Sequence, residues 1–171
     1  MRHVAFVRNL NQGQRGHVST ADLIAAFVDA GCHDPAPFQS NGTVVCGGDP
    51  ALAHDAMDAL AARTGVEREV FTLALDELGD IVAAHRDARD AVRRELTLHR
   101  GDAIMLDAQT EHEAARRRCR ILDSGAGWVV TVNERDRESN ATPVIERLTG
   151  QPATSRSLPT LTRLIARFDT A

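Results

Sequence analysis

The apolar residues of this chain come in runs of strand length and no longer: Val4-Ala5-Phe6-Val7, Thr43-Val44-Val45-Cys46, and Trp128-Val129-Val130-Thr131-Val132. Between such runs lie segments of helical period that open on capping residues and close on glycine. Strands interleaved with helices in two successive halves predict an α+β fold of two βαβ-like sub-units, with helices packed on one face of each mixed sheet. No sequence repeat is visible, so the duplication rests on element order alone. Runs this short are far from the length needed to cross a bilayer, and no membrane partner is expected.

The helices are marked by their ends. Ser19 or Thr20 caps a helix carrying Leu23, Ile24, Phe27 and Val28, with Gly31 at its left-handed stop. Asp49 and Pro50 open a second over Leu52, Ala56, Ala59 and Leu60, closed by Gly65. Asp76 starts a third through Leu78, Ile81 and Val82, after a strand over residues 70–75. Pro35 and Pro37 hold the approach to Thr43 extended. Beyond residue 100 the order resumes: a strand over 103–106, a helix over 110–118 with Thr110 and Glu113 as a capping box, and a strand near 120–122. A turn at 124–127 and the strand from Trp128 come next, then a helix from Thr142-Pro143 to Gly150. A last helix buries Leu161, Leu164, Ile165 and Phe168. Residues 86–100 mix charges with Val92, Leu96 and Leu98 and fit no element well. The chain reads as one α+β domain over 1–171, or as lobes of about 1–85 and 101–171 joined by 86–100. With 171 residues, such a chain buries about 70% of its unfolded surface and needs no staple.

All 20 basic side chains are arginine. A chain without lysine has no Schiff-base nucleophile and no P-loop lysine. A net charge of −4 and an aromatic content of 4%, with one tryptophan and no tyrosine, disfavour nucleic acid as a partner. Cys32, Cys46 and Cys119 form an odd set without Cys-x-x-Cys spacing and read as small buried hydrophobes. With no charged-then-apolar leader, they point to a cytoplasmic protein. The seven histidines show neither His-x-His nor His-x-x-x-His spacing, so no metal and no cofactor is expected. His54 with Asp58 reads as an exposed helix pair.

Three polar stretches adjoin confident elements, where a fold holds a loop still. Arg8, Asn9 and Asn11 gather a bidentate cation and two amides at a strand's end, where a carboxylate or phosphate could be held. The competing reading has the amides satisfying loop backbone. Gln39, Ser40, Asn41 and Gly42 could line a pocket edge, but Asn-Gly is also a strong turn signal. Thr154, Ser155, Arg156 and Ser157 precede the last helix, as an anion site or as its N-cap. The run Arg116, Arg117, Arg118, Cys119, Arg120 reads as a solvated helix end complementing the dipole.

These stretches carry a resemblance. Val4-Ala5-Phe6-Val7-Arg8-Asn9-Leu10-Asn11, Phe38-Gln39-Ser40-Asn41-Gly42-Thr43-Val44-Val45 and Ala153-Thr154-Ser155-Arg156-Ser157 resemble motifs of the bacterial domain-of-unknown-function family 1697. Asn9 stands where that family usually has glycine, Asn41-Gly42 inverts a Gly-Asn order, and Ser157 replaces asparagine. The resemblance implies an α+β fold of two related sub-units and an activity that is not defined.

The leading expectation is a non-enzymatic binding protein for a small anionic ligand at these loops, through Arg8, Asn9, Asn11, Gln39, Ser40, Asn41, Ser155 and Arg156. A small metal-independent transferase or hydrolase using a histidine such as His17 is the alternative. A protein-interaction module is the third.

Overall fold

The computed structural model describes residues 1–10 and 18–168. The chain falls into two compact units, one of Met1–Asp80 with Phe168 and one of Ile81–Arg167. Among the described residues there are six α-helices and two four-stranded sheets.

The first sheet is built by β1 (Arg2–Val7), β2 (His33–Phe38), β3 (Thr43–Gly47) and β4 (Val70–Ala74), in the order β2-β3-β1-β4. Helix α1 (Thr20–Asp29) joins β1 to β2, α2 (Leu52–Thr64) joins β3 to β4, and α3 (Leu75–His85) follows β4 directly. The second sheet repeats this plan with β5 (Arg94–Leu98), β6 (Cys119–Gly125), β7 (Trp128–Asn133) and β8 (Thr154–Ser157), in the order β6-β7-β5-β8. Helices α4 (Ala108–Arg116), α5 (Ala141–Thr149) and α6 (Leu158–Phe168) take the places of α1, α2 and α3. Registers agree as well. Phe6 lies opposite Thr43 and Leu98 opposite Trp128, and one residue on, Val7 N–H donates to Gly42 O and His99 N–H to Gly127 O, each at 2.9 Å. The seven-element order is therefore duplicated.

Every strand pair is antiparallel, where βαβ units alone would make a mixed sheet. Strands β1 and β2 do run the same way across α1, but β3 is inserted between them, so parallel neighbours never touch. The proline-bearing segment is β2, an edge strand, where a missing backbone donor costs no ladder bond.

Residues Val4 to Val7 are fully buried, as an unalternating apolar run requires of a strand covered on both faces. On one face Ala5 and Val7 meet Leu23, Ala26 and Phe27 of α1 and Ala53, Met57 and Leu60 of α2. Each large side chain so buried contributes about 1.5–3 kcal/mol. In the second unit Ala114 of α4 and Val144 and Ile145 of α5 cover Cys119, Ile121 and Val129 in the same way.

The N-cap of α1 and three helix stops fall where the sequence puts them: Ser19 accepts from Asp22 N, and Gly31, Gly65 and Gly150 take positive φ of 90°, 74° and 68°. Helix α2 instead starts at Leu52 with Ala51, not Asp49, as its N-cap. Three further expectations are corrected. Residues 86–100 are no joining segment, since they contain a 3-10 turn (Ala91–Arg93) and β5, an interior strand of the second sheet. Residues 103–106 form no strand, and Met105 is 74% exposed. The capping box of α4 is Asp107 with Thr110, not Thr110 with Glu113.

Candidate functional site

Strand β1 ends at Val7, and Arg8 continues from it half-buried, its N–H donating to Glu69 O at 2.9 Å. Asn9 follows with φ of 54°, a left-handed conformation that glycine and asparagine tolerate better than other residues. This explains why asparagine can stand where glycine is usual. Asn11 and His17 lie outside the described residues.

Arg8 and Asn9 open onto a cleft of about 730 Å³ in the first unit. Its other wall is the exposed side of α2, with His54 and Asp58, and the segment Glu67, Arg68 and Glu69 leading into β4. Met57, Ala61 and Val66 supply its apolar lining. Among the described residues two guanidinium groups thus share the cleft with three carboxylates. Arg68 is steadied by its own turn, donating to Thr64 Oγ1 at 3.4 Å and Val66 O at 3.3 Å.

The second polar stretch is the β2–β3 turn, with Gln39 at φ 57° and Gly42 at φ 75°. Gly42 abuts the first stretch so closely that a Cβ there would lie 3.1 Å from Leu10 Cβ and from Val7 O. Gln39, Ser40 and Asn41 nevertheless do not line the cleft. They adjoin Arg8's loop without entering the concavity.

The third stretch is strand β8, in the second unit. Ser155 Oγ is 2.7 Å from Thr97 Oγ1 of β5 and 2.6 Å from Thr142 Oγ1 of α5, so its hydroxyl fastens β8 in place. Arg156 donates to Thr154 Oγ1 at 2.8 Å and Ser155 O at 2.9 Å, and burial brings its guanidinium down to about 10. It is still charged at neutral pH. Ser157 caps α6 through Thr160. The sequence-predicted residues are therefore divided: Arg8, Asn9, Gln39, Ser40 and Asn41 in one unit, Ser155 and Arg156 in the other.

Two histidine pairs have the outward form of catalytic dyads. His3 Nε2 lies 3.2 Å from Cys46 Sγ, but burial pushes the thiol up to about 12 and lowers His3, so neither thiolate nor imidazolium is favoured. His85 Nε2 lies 3.1 Å from Asp123 Oδ2, on a strand whose register shifts between Ile121 and Asp123. That bulge turns Asp123 onto the face shared by Val130 and Leu96. Arg94 Nη1 donates to His85 Nδ1 at 2.6 Å while its Nε holds Asp90 Oδ1 at 2.6 Å. With Nδ1 accepting from a guanidinium, His85 is the Nε2-H tautomer donating to Asp123, and no ring nitrogen is left for a substrate. Among the described residues no three His, Cys, Asp or Glu side chains gather as metal ligands, and no helix is long and apolar enough to cross a membrane.

Sequence reading did not single out Asp58, Glu67, Arg68 or Glu69 as cleft residues, because their charges look like any solvated helix face and loop. For residues 67–69 the available signal was their position just before the apolar strand β4; for Asp58, within α2, there was none.

No curated protein matches the chain. Among solved structures it is similar to a conserved bacterial protein from Streptococcus pneumoniae, with a TM-score of 0.61 and 14% identity over 99% of this chain and 98% of that one. At that identity the likeness concerns the fold. A family profile described as protein of unknown function (DUF1697) matches residues 1–133, which span the Arg8 and Gln39 stretches and the first unit's whole cleft. By that match over most of its length the chain belongs to the DUF1697 family.

Proposed function

We propose that this is a cytoplasmic binding protein without chemistry of its own, taking a small ligand in the cleft at the end of β1. The ligand's anionic group meets Arg8 and Arg68, and its cationic or donor groups meet Asp58 and Glu67. One observation carries the reading: the cleft of about 730 Å³ sets guanidinium groups and carboxylates around an apolar lining. Among the described residues a bare anion would meet three carboxylates there against two arginines, so a ligand bearing both signs fits better. The free cysteines, all three buried, suit the cytoplasm.

A second reading, a metal-independent transferase or hydrolase, has one feature in its favour. His54 and Asp58 lie one helical turn apart on α2 and both line the cleft.

Thermal unfolding of the full chain with taurine, glutamate and glycine betaine, beside acetate and formate as simple anions, tests the first reading. At least one zwitterion raises the midpoint more than the simple anions do, and Arg8→Gln and Asp58→Asn each remove the gain. Equal response to all five compounds, or a gain that survives Arg8→Gln, overturns it. Turnover of any bound compound that His54→Gln abolishes selects the enzyme instead.

A further inference from the structure

We infer that the second unit carries a separate site for a small polyanion of the phosphate class, formed by Arg93, Arg118 and Arg120. The three side chains line a cavity of about 310 Å³, with Asn133 at the end of β7 and Glu134 just after it on its wall, and Cys119 and Val132 among its apolar lining.

The arginine run from 116 to 120 invites a helix-dipole explanation, but α4 ends at Arg116 and Arg117 is already its C-cap. Only Arg116 is placed to complement the dipole. Arg118 stands beyond the helix at φ 57°, a position that glycine usually fills, and its carbonyl accepts from Glu134 N at 2.9 Å. Arg120 is the second residue of the edge strand β6, exposed, opposite Val132. These two cations are thus brought to one cavity by the turn between α4 and β6, not by helical period.

Arg93 is fixed from the other side. Its Nη1 donates to Asn133 O and to Glu134 O, both at 2.9 Å, which aims the guanidinium along the end of β7. Arg118 Nη2 reaches Glu138 Oε1 at 3.1 Å. The Arg120 side chain makes no hydrogen bond or ion pair among the described residues.

The cavity's carboxylates do not cancel these charges. Asp90 is committed to Arg94, whose side-chain hydrogen bond holds its carboxyl below the usual range. Of the carboxylates in the lining that leaves Glu134, while from outside it Glu138 pairs with Arg118 and Asp136 Oδ1 stands 3.9 Å from Arg93 Nε, so among the described residues Arg120 is the lining arginine whose charge has no carboxylate partner. Planar forks of five donors suit the oxygens of a phosphate group better than a monovalent halide. The first unit's cleft, where carboxylates outnumber arginines among the described residues, has the opposite balance.

The test is thermal unfolding and calorimetric titration of the full chain with inorganic phosphate, against sodium chloride at equal ionic strength. With a Kd near 1 mM, 10 mM phosphate raises the midpoint by about 3–6 °C. Arg120→Gln, at an exposed position that leaves folding intact by circular dichroism, removes the rise, as does Arg118→Gln, while Arg8→Gln keeps it. An equal rise with chloride, no rise at all, or a rise untouched by Arg120→Gln overturns the inference. Loss of the rise in Arg8→Gln also overturns it, by placing phosphate in the first unit's cleft.

Discussion

Replacing Asn133 by alanine will cost the second unit about 3.5–5 kcal/mol. The side chain is 1% exposed and serves β5, β7 and the segment leading to α5 at once. Its Nδ2 donates to Glu95 Oε2 and to Glu138 O, each at 2.9 Å, and its Oδ1 accepts from Asn140 N at 3.1 Å. A hydrogen bond to a buried charge is worth about 1.5–3 kcal/mol and each neutral one about 1 kcal/mol. Glu95 is 5% exposed, and after the change it keeps only Ser139 Oγ, at its other oxygen, so its carboxylate is left half-satisfied away from water. The assay is built in, because the single tryptophan, Trp128, lies on β7 and reports on this unit's sheet. With an m-value of about 2 kcal/mol/M, the urea midpoint of Trp128 fluorescence falls by about 2 M. Asn133→Asp, which sets a second carboxylate beside the first, falls at least as far. A drop below about 0.5 M for Asn133→Ala would show that Glu95 reaches water in the folded state, and the buried network would lose its role.

Two further outcomes follow from buried titratable groups. Burial pushes the thiols of Cys46 and Cys119 up to about 12 and about 11, and raises Cys32, so a thiol reagent at pH 8 labels none of the three rapidly in the folded chain and all three in urea; fast labelling of any one when folded contradicts its placement. Burial also lowers His3 below its usual 6.5, so below that pH the unfolded chain binds more protons than the folded one. Stability is then full above about pH 6.5 and declines as pH falls from there toward the folded value. Melting between pH 7.5 and 5 should show a steeper decline for the wild type than for His3→Asn, and parallel slopes would rule the linkage out.

The elements legible in the sequence were those whose signals are local. Helices α1, α2 and α5 announce themselves through Ser19, Gly31, Gly65 and Gly150, and β1, β3 and β7 through apolar runs. Strand β5 was illegible because Arg94 and Glu95 are tolerated only through distant partners, His85 for one and Asn133 and Ser139 for the other. Strand β8 has no apolar residue at all and is held by hydroxyls reaching Thr97 and Thr142. Residues 103–106 looked like a strand for their apolar content, yet they join neither sheet, and Ile104 N–H donates instead to Ser124 Oγ at 2.7 Å. The duplication was in fact written in α3 and α6, where Leu75, Leu78, Ile81 and Val82 match Leu158, Leu161, Leu164 and Ile165 in spacing. Of the site, Arg8 and Asn9 could be found because a confident strand ends beside them. Their partners across the cleft could not, since the exposed charges of α2 gain meaning only when it packs against β1.

The most direct trial of a ligand cleft at the end of β1 is a nitrogen-15 correlation NMR titration of the full chain with taurine. Saturable shifts should gather on the amides of Asn9, His54, Asp58 and Glu67 to Glu69, and vanish in Arg8→Gln. Shifts confined to residues 93–134, or none at millimolar ligand, would contradict it.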